Sequence, residues 1–134
     1  MHSIRLRGPW ELYLPGNEVP RRVVMPATWQ TLLADGPLPS PTRLLRRFGL
    51  PTGITPTDRL HLVIESAAAA CQVELNGQML GNIEPSQQSS SWQVTKLLLA
   101  RNELVLVLEI PPREFAPPES SCPVNDVRLE IVAV

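Results

Sequence analysis

Val73-Glu74-Leu75-Asn76-Gly77-Gln78-Met79-Leu80-Gly81 is the stretch whose reading decides the fold. Asn76-Gly77 sits between two alternating apolar segments. Asn and Gly tolerate the positive φ angles of a two-residue type I′ turn, whose twist suits a pair of antiparallel strands. The stretch therefore predicts a hairpin of Cys71–Leu75 against Met79–Ile83, with Cys71, Val73 and Leu75 facing the core. Nothing in it is catalytic chemistry.

Outward from this hairpin the period of two recurs. Arg59–Glu65 sets Leu60, Leu62 and Ile64 against Arg59, His61, Val63 and Glu65. Glu103–Ile110 places Leu104, Leu106, Leu108 and Ile110 on one face, and Pro111-Pro112 stops it. Trp10–Leu14, Arg21–Met25, Thr42–Leu50 and Val127–Val134 read as further strands. Prolines outnumber glycines 15 to 7. They gather at Pro37–Pro41, Pro51–Pro56 and Pro111–Pro123, where stiff loops punctuate the strands. Short strands with turn signals about every ten residues predict an all-β antiparallel sandwich. The helical candidates are Thr28–Leu33 and Thr95–Ala100, each opening on a Thr suited to an N-cap. Ala67–Ala70 reads as a tight connection after a strand. With 134 residues and no repeat or linker, the expectation is one domain over 1–134.

Composition removes several function classes. The net charge is −1, so no global field recruits nucleic acid or an anionic membrane. The clusters Arg5/Arg7, Arg21/Arg22 and Arg43/Arg46/Arg47 read as solvated strand faces. No apolar run approaches the ~20 residues of a membrane helix. The N-terminus lacks the apolar core of a signal peptide, so a cytoplasmic chain is expected; a leader already removed would read the same way. The chain has 2 cysteines and 2 histidines, with no zinc spacing and no cofactor motif. Two independent thiols are the preferred reading, with Cys71 buried in the core; a Cys71–Cys122 bridge is the alternative.

Taken in order, the segments resemble the N-terminal sugar-binding domain of family 2 glycoside hydrolases, such as β-galactosidases and β-glucuronidases. Gly8-Pro9-Trp10-Glu11-Leu12 is similar to that domain's Gly-x-Trp strand, and Pro26-Ala27-Thr28-Trp29 to its Pro-x-x-Trp element. Arg46-Arg47-Phe48-Gly49-Leu50-Pro51 resembles its Arg-x-Phe-x-Leu-Pro strand, and Val73–Gly81 its Asn-Gly hairpin. Trp92–Thr95, Asn102–Leu106 and Val127-Arg128-Leu129 are similar to its closing segments. Two departures stand out. Leu44 or Leu45 replaces the aromatic that opens the third motif, and Glu84–Ser90 replaces a Gly-Gly loop. The immunoglobulin-like and barrel domains that follow in such enzymes lie outside this sequence. The resemblance implies a galactose-binding-domain-like jelly roll. It further implies a non-catalytic carbohydrate-binding or accessory module, since the catalytic carboxylates of that family sit on the barrel.

The residues agree with the non-catalytic expectation. A retaining glycosidase needs two carboxylates about 5–5.5 Å apart around a sugar pocket. Glu65, Glu74, Glu109 and Glu130 all take outward strand positions and read as solvated charge, and His61 stands without a Ser-His-Asp setting. No Asp-rich loop suggests calcium. A sugar site instead needs an aromatic platform with amide or carboxylate partners for hydroxyls. Trp10, Trp29 and Phe48 read as packing residues, and Phe115 as a plug over Val105 and Val107. The candidates for a glycan are therefore Trp92 as platform, with Gln87, Gln88 and Glu84 from the polar loop Glu84–Ser91. The alternative is a protein-interaction or assembly module with no glycan. Val105, Val107 and Val63 give strands a second apolar face, which a protein partner or a second copy would cover.

Overall fold

The computed structural model describes residues 2–13, 19–34, 38, 40–65, 69–85, 89–110 and 121–133. Its strands are β1 (His2–Arg5), β2 (Trp10–Tyr13), β3 (Arg21–Val23), β4 (Thr42–Gly49), β5 (Arg59–Glu65), β6 (Cys71–Leu75), β7 (Gln78–Ile83), β8 (Ser89–Gln93), β9 (Arg101–Leu108) and β10 (Asp126–Val132). One short helix, α1 (Trp29–Leu32), lies between β3 and β4. The Asn-Gly hairpin forms where its residues predict it. Leu75 and Gln78 are register partners, and Asn76 and Gly77 take φ values of 52° and 80°.

The strands make two antiparallel sheets, a four-stranded one ordered β1-β10-β5-β8 and a six-stranded one ordered β3-β2-β4-β9-β6-β7. They pack face to face as a jelly-roll sandwich. Alternation decides which side chains meet. Leu60, Leu62 and Ile64 from β5 and Val127 and Leu129 from β10 face Leu44, Leu104, Leu106, Leu108, Cys71, Val73 and Leu75 across the interior. Trp10 and Leu12 complete the layer from β2 and are fully buried. The Trp10 indole N–H donates to the Leu6 carbonyl at 2.8 Å, which ties β2 to the crossover from β1.

The structure corrects several sequence expectations. Thr95–Ala100 forms a hydrogen-bonded turn rather than a helix. Leu97 and Leu98 N–H reach Val94 O, but Leu99 N–H donates to the Asn102 side chain at 2.8 Å and the helical ladder stops. The other candidate does form, as the single turn of α1, with Thr28 Oγ1 accepting from Thr31 N–H at 3.2 Å. β9 starts at Arg101 and ends at Leu108, just short of Pro111-Pro112. Part of the expected loop Glu84–Ser91 is strand: Ser89–Gln93 pairs with β5 as an edge. A run of serines shows no apolar period, so its pairing with β5 is not visible in the sequence. β1 escaped notice for the same reason, its His, Ser and Arg being exposed.

Candidate functional site

At one end of the six-stranded sheet the outward face opens into a cleft of about 510 Å³. Its geometry follows from register. Val107, Gln72 and Asn82 lie side by side on β9, β6 and β7. The row Leu108–Cys71–Ile83 comes next and points inward, where Leu108 and Ile83 are buried. One residue beyond it stand Glu109, Ala70 and Glu84, on the same outward side as the first row. The Glu109 N–H to Ala70 O bond of 2.9 Å continues the pairing there. Ala70 is the small residue between two glutamates, so no long side chain fills the floor between them. Ser40 and Pro41 close the β4 side, where the Ile110 N–H donates to Ser40 Oγ at 3.1 Å.

The lining mixes polar and apolar side chains. Gln72 and Asn82 bring amides, Glu84 and Glu109 carboxylates, while Val107, Ile110 and Pro41 give carbon surface. Such a lining can accept from and donate to hydroxyls and also meet C–H groups. Cys71 Sγ lies beneath it, and burial pushes the thiol up to about 12, so the sulfur stays protonated and inert. Cys71 and Cys122 are both free thiols, so the bridge does not form. Among the described residues no three His, Cys, Asp or Glu side chains gather as metal donors.

The sequence candidates separate. Glu84 lines the cleft. Gln87 and Gln88 lie outside the described residues. Trp92 is elsewhere: as the register partner of Leu62 it points inward from the edge strand β8 and packs, half-buried, against the core. Its ring lies over Gly81, where an added Cβ would sit 3.1 Å from the indole nitrogen. Trp92 therefore plugs the sandwich edge between β8 and β7, with only part of its ring available to solvent. Gln72, Asn82 and Glu109 are the cleft residues that the sequence reading did not select. Their one signal is outward parity on three strands whose adjacency only the topology reveals.

A second, smaller depression of about 300 Å³ lies on the same face over β2, β4 and β9. Tyr13, Arg43, Leu45, Arg47, Glu103 and Val105 line it. Leu45 and Val105 point outward yet are only 7% and 8% exposed. The long stems of Arg43 and Arg47 flank them, so much of the second apolar face is already shielded within the chain. Arg47 pairs with Glu11, whose carboxylate also accepts from the Tyr13 hydroxyl at 2.8 Å. That hydrogen bond is the main reason the phenol sits above its ordinary pKa. On the opposite sheet, Arg128 is ringed by Glu65, Asp126 and Glu130 at 2.9, 2.8 and 3.5 Å.

No family model and no curated protein matches the sequence. Solved structures do match the fold. A β-glucuronidase from Bifidobacterium dentium superposes on 99% of this chain with a TM-score of 0.78 at 16% identity. A β-D-mannosidase from Dictyoglomus thermophilum covers 97% with a TM-score of 0.75 at 15% identity. A β-glucuronidase from Bacteroides uniformis covers 98% with a TM-score of 0.73 at 16% identity. These are family 2 glycoside hydrolases, and the shared fold is the one the sequence motifs resemble. The chain spans 30%, 22% and 18% of their respective lengths. It corresponds to one small domain of such enzymes. Enzymes named for different sugars carry this fold, so the fold does not itself select a sugar.

Proposed function

We propose that this chain is a non-catalytic carbohydrate-binding accessory domain whose ligand site is the cleft of Gln72, Asn82, Glu84 and Glu109. One observation carries the reading: a fold shared with carbohydrate-active enzymes presents a strand-backed cleft lined by amides, carboxylates and carbon surface. A strand-backed floor keeps these groups in place before a ligand arrives, which lowers the ordering cost of a weak site. Among the described residues no aromatic side chain lines it, so the affinity expected from hydrogen bonds falls in the millimolar range. The test is an amide NMR titration with neutral mono- and oligosaccharides. The expected result is a saturable shift set centred on Gln72, Asn82, Glu84 and Glu109, lost in the Gln72→Ala/Asn82→Ala double variant. Shifts that gather around Trp92, or none across a broad panel, would overturn it.

The second reading is an assembly module with no glycan. The depression at Tyr13, Leu45 and Val105, rimmed by Arg43, Arg47 and Glu103, favours it, because mixed charges around a small apolar patch suit a protein partner or a second copy. Light scattering separates the two. A monomer up to high concentration with shifts in the cleft supports the glycan reading, and a concentration-dependent dimer supports the other.

A further inference from the structure

We propose that the cleft and the neighbouring depression form one site for a linear oligosaccharide laid across five strands, with Tyr13 as the stacking platform at its far end. The inference rests on the carbohydrate reading above and names the class of glycan within it. The strand register joins the two hollows. Tyr13 partners Arg43, Arg43 partners Val107, Val107 partners Gln72 and Gln72 partners Asn82, from β2 through β4, β9 and β6 to β7. The residues beside them along their strands, Leu12, Leu44, Leu106, Cys71 and Ile83, are buried, so alternation turns the whole row outward. Tyr13, Arg43 and Asn82 are exposed, and Val107 and Gln72 are half-buried. Val107 lines the cleft and Arg43 lines the depression. As register partners these two stand a single strand spacing apart, so the hollows meet at the middle of the row.

The row crosses four strand spacings, a span of about 19 Å. A pyranose with its glycosidic oxygen is about as long as one spacing, so the row suits a chain of about four sugars. Its chemistry is graded along the same line. Tyr13 keeps 38% of its surface open. Its hydroxyl donates to Glu11 Oε2 at 2.8 Å, and Arg47 pairs with the same carboxylate, so the ring is held before a ligand arrives. The C–H face of a sugar packs on such a ring, and the outward Leu45 and Val105 extend the carbon surface beside it. Arg43 then offers guanidinium donors for hydroxyls, Val107 more carbon surface, and Gln72 and Asn82 amides that donate and accept. The aromatic platform thus comes from the depression and the amides from the cleft, and each hollow supplies half of a sugar site. A linear glycan repeats C–H faces and hydroxyls along its length and can use both halves at once. Each further ring then binds as part of a chain already in place.

The experiment titrates the full chain with cello-oligosaccharides and β-manno-oligosaccharides, from monosaccharide to hexasaccharide, by amide NMR. Affinity is expected to rise with each unit up to about the tetrasaccharide and then level off, by roughly tenfold or more in all. Short sugars are expected to move the amides of Gln72 and Asn82, and the tetrasaccharide those of Arg43 and Tyr13 as well. Tyr13→Ala is expected to lower tetrasaccharide affinity roughly fivefold to tenfold and to leave monosaccharide affinity unchanged. Tyr13→Phe keeps the ring and is expected to bind the tetrasaccharide as the wild type does. An unchanged thermal transition checks that each variant folds, and Arg43→Ala, in the exposed middle of the row, gives the same readout where Tyr13→Ala does not fold. Affinity that does not depend on chain length refutes the inference and leaves the carbohydrate reading standing. So does a tetrasaccharide that folded Tyr13→Ala or Arg43→Ala binds as tightly as the wild type. Shifts confined to Tyr13 and Arg43 remove the cleft as the site, and the inference with it. If no member of either series shifts a residue of the row, both readings fall.

Discussion

Asn102 is 1% exposed, and its side-chain amide makes all the hydrogen bonds it can. Its Oδ1 accepts from Leu99 N–H at 2.8 Å and from Asn76 Nδ2 at 3.0 Å, and its Nδ2 donates to Leu99 O at 2.9 Å and Phe48 O at 3.3 Å. Asn76, at the tip of the hairpin, in turn donates to Leu97 O and accepts from Glu103 N–H. The pair latches hairpin, turn and two strands together. Asn102→Ala deletes these bonds and leaves the Leu99 N–H without its partner. Each net bond contributes about 1 kcal/mol, and water entering the vacated space recovers part, so the cost is about 3 kcal/mol. With a urea slope of about 2 kcal/mol per molar, the unfolding midpoint falls by about 1.5 M. Asn102→Asp keeps the accepting oxygen and sets a second carboxylate oxygen against Leu99 O and Phe48 O. It should cost at least as much at pH 7. It should recover as the pH falls, since the neutral acid regains a donor and its folded-state pKa lies above the unfolded value. A midpoint shift below about 0.5 M for Asn102→Ala, with the slope unchanged, would refute the latch.

Other consequences can be measured on the same material. Cys71 keeps its proton in the folded state up to about 12, against an ordinary value of 9.0. The unfolded chain binds fewer protons above pH 9, so the thiol makes no difference below that and costs up to about 1.4 kcal/mol per pH unit above it. Urea midpoints from pH 7 to 10.5 should therefore fall more steeply for wild type than for Cys71→Ala. Arg128→Leu leaves Glu65, Asp126 and Glu130 facing one another. It should cost about 1–2 kcal/mol in low salt and less in 1 M salt, where the Debye length is about 3 Å; an equal loss in both counts against the network. Gly81→Ala pushes a Cβ to 3.1 Å from the Trp92 indole nitrogen. It should cost about 1 kcal/mol and move the Trp92 indole N–H resonance, whereas a ring standing free in solvent would show neither.

The fold was legible where one face of a strand is buried. Trp10, Leu12, Leu44, Leu62, Leu104 and Leu106 alternate with outward residues, and this alternation survives in the structure because a slip of one residue would invert every side chain. Asn76-Gly77 was legible because its turn geometry admits few other residues. Ser89–Gln93 was not, since an edge strand of serines is held by main-chain bonds that any sequence can make. The turn at 95–97 was misread as a helix start because what ends it, Asn102, is a side chain from the following strand. A local capping pattern carries no trace of that partner.

The candidate site was legible only in part, and for a related reason. Glu84 stood out because it opens a polar stretch, yet its companions are Gln72 and Glu109, single outward residues on alternating strands. Each alone reads as a solvated strand position. They become a lining because β9, β6 and β7 are neighbours, and because the row Glu109–Ala70–Glu84 holds its smallest side chain in the middle. Trp92 drew attention as an aromatic beside a polar loop, but parity on an edge strand turns it inward over Gly81. The hydrophobic pattern that specifies the sandwich says which residues leave the core. It leaves open which outward residues meet, because that depends on strand order, and strand order is set by pairings remote in sequence. In this fold the recognition chemistry belongs to those remote pairings: one register step along β6 would replace Ala70 by Cys71 between the two glutamates and close the cleft.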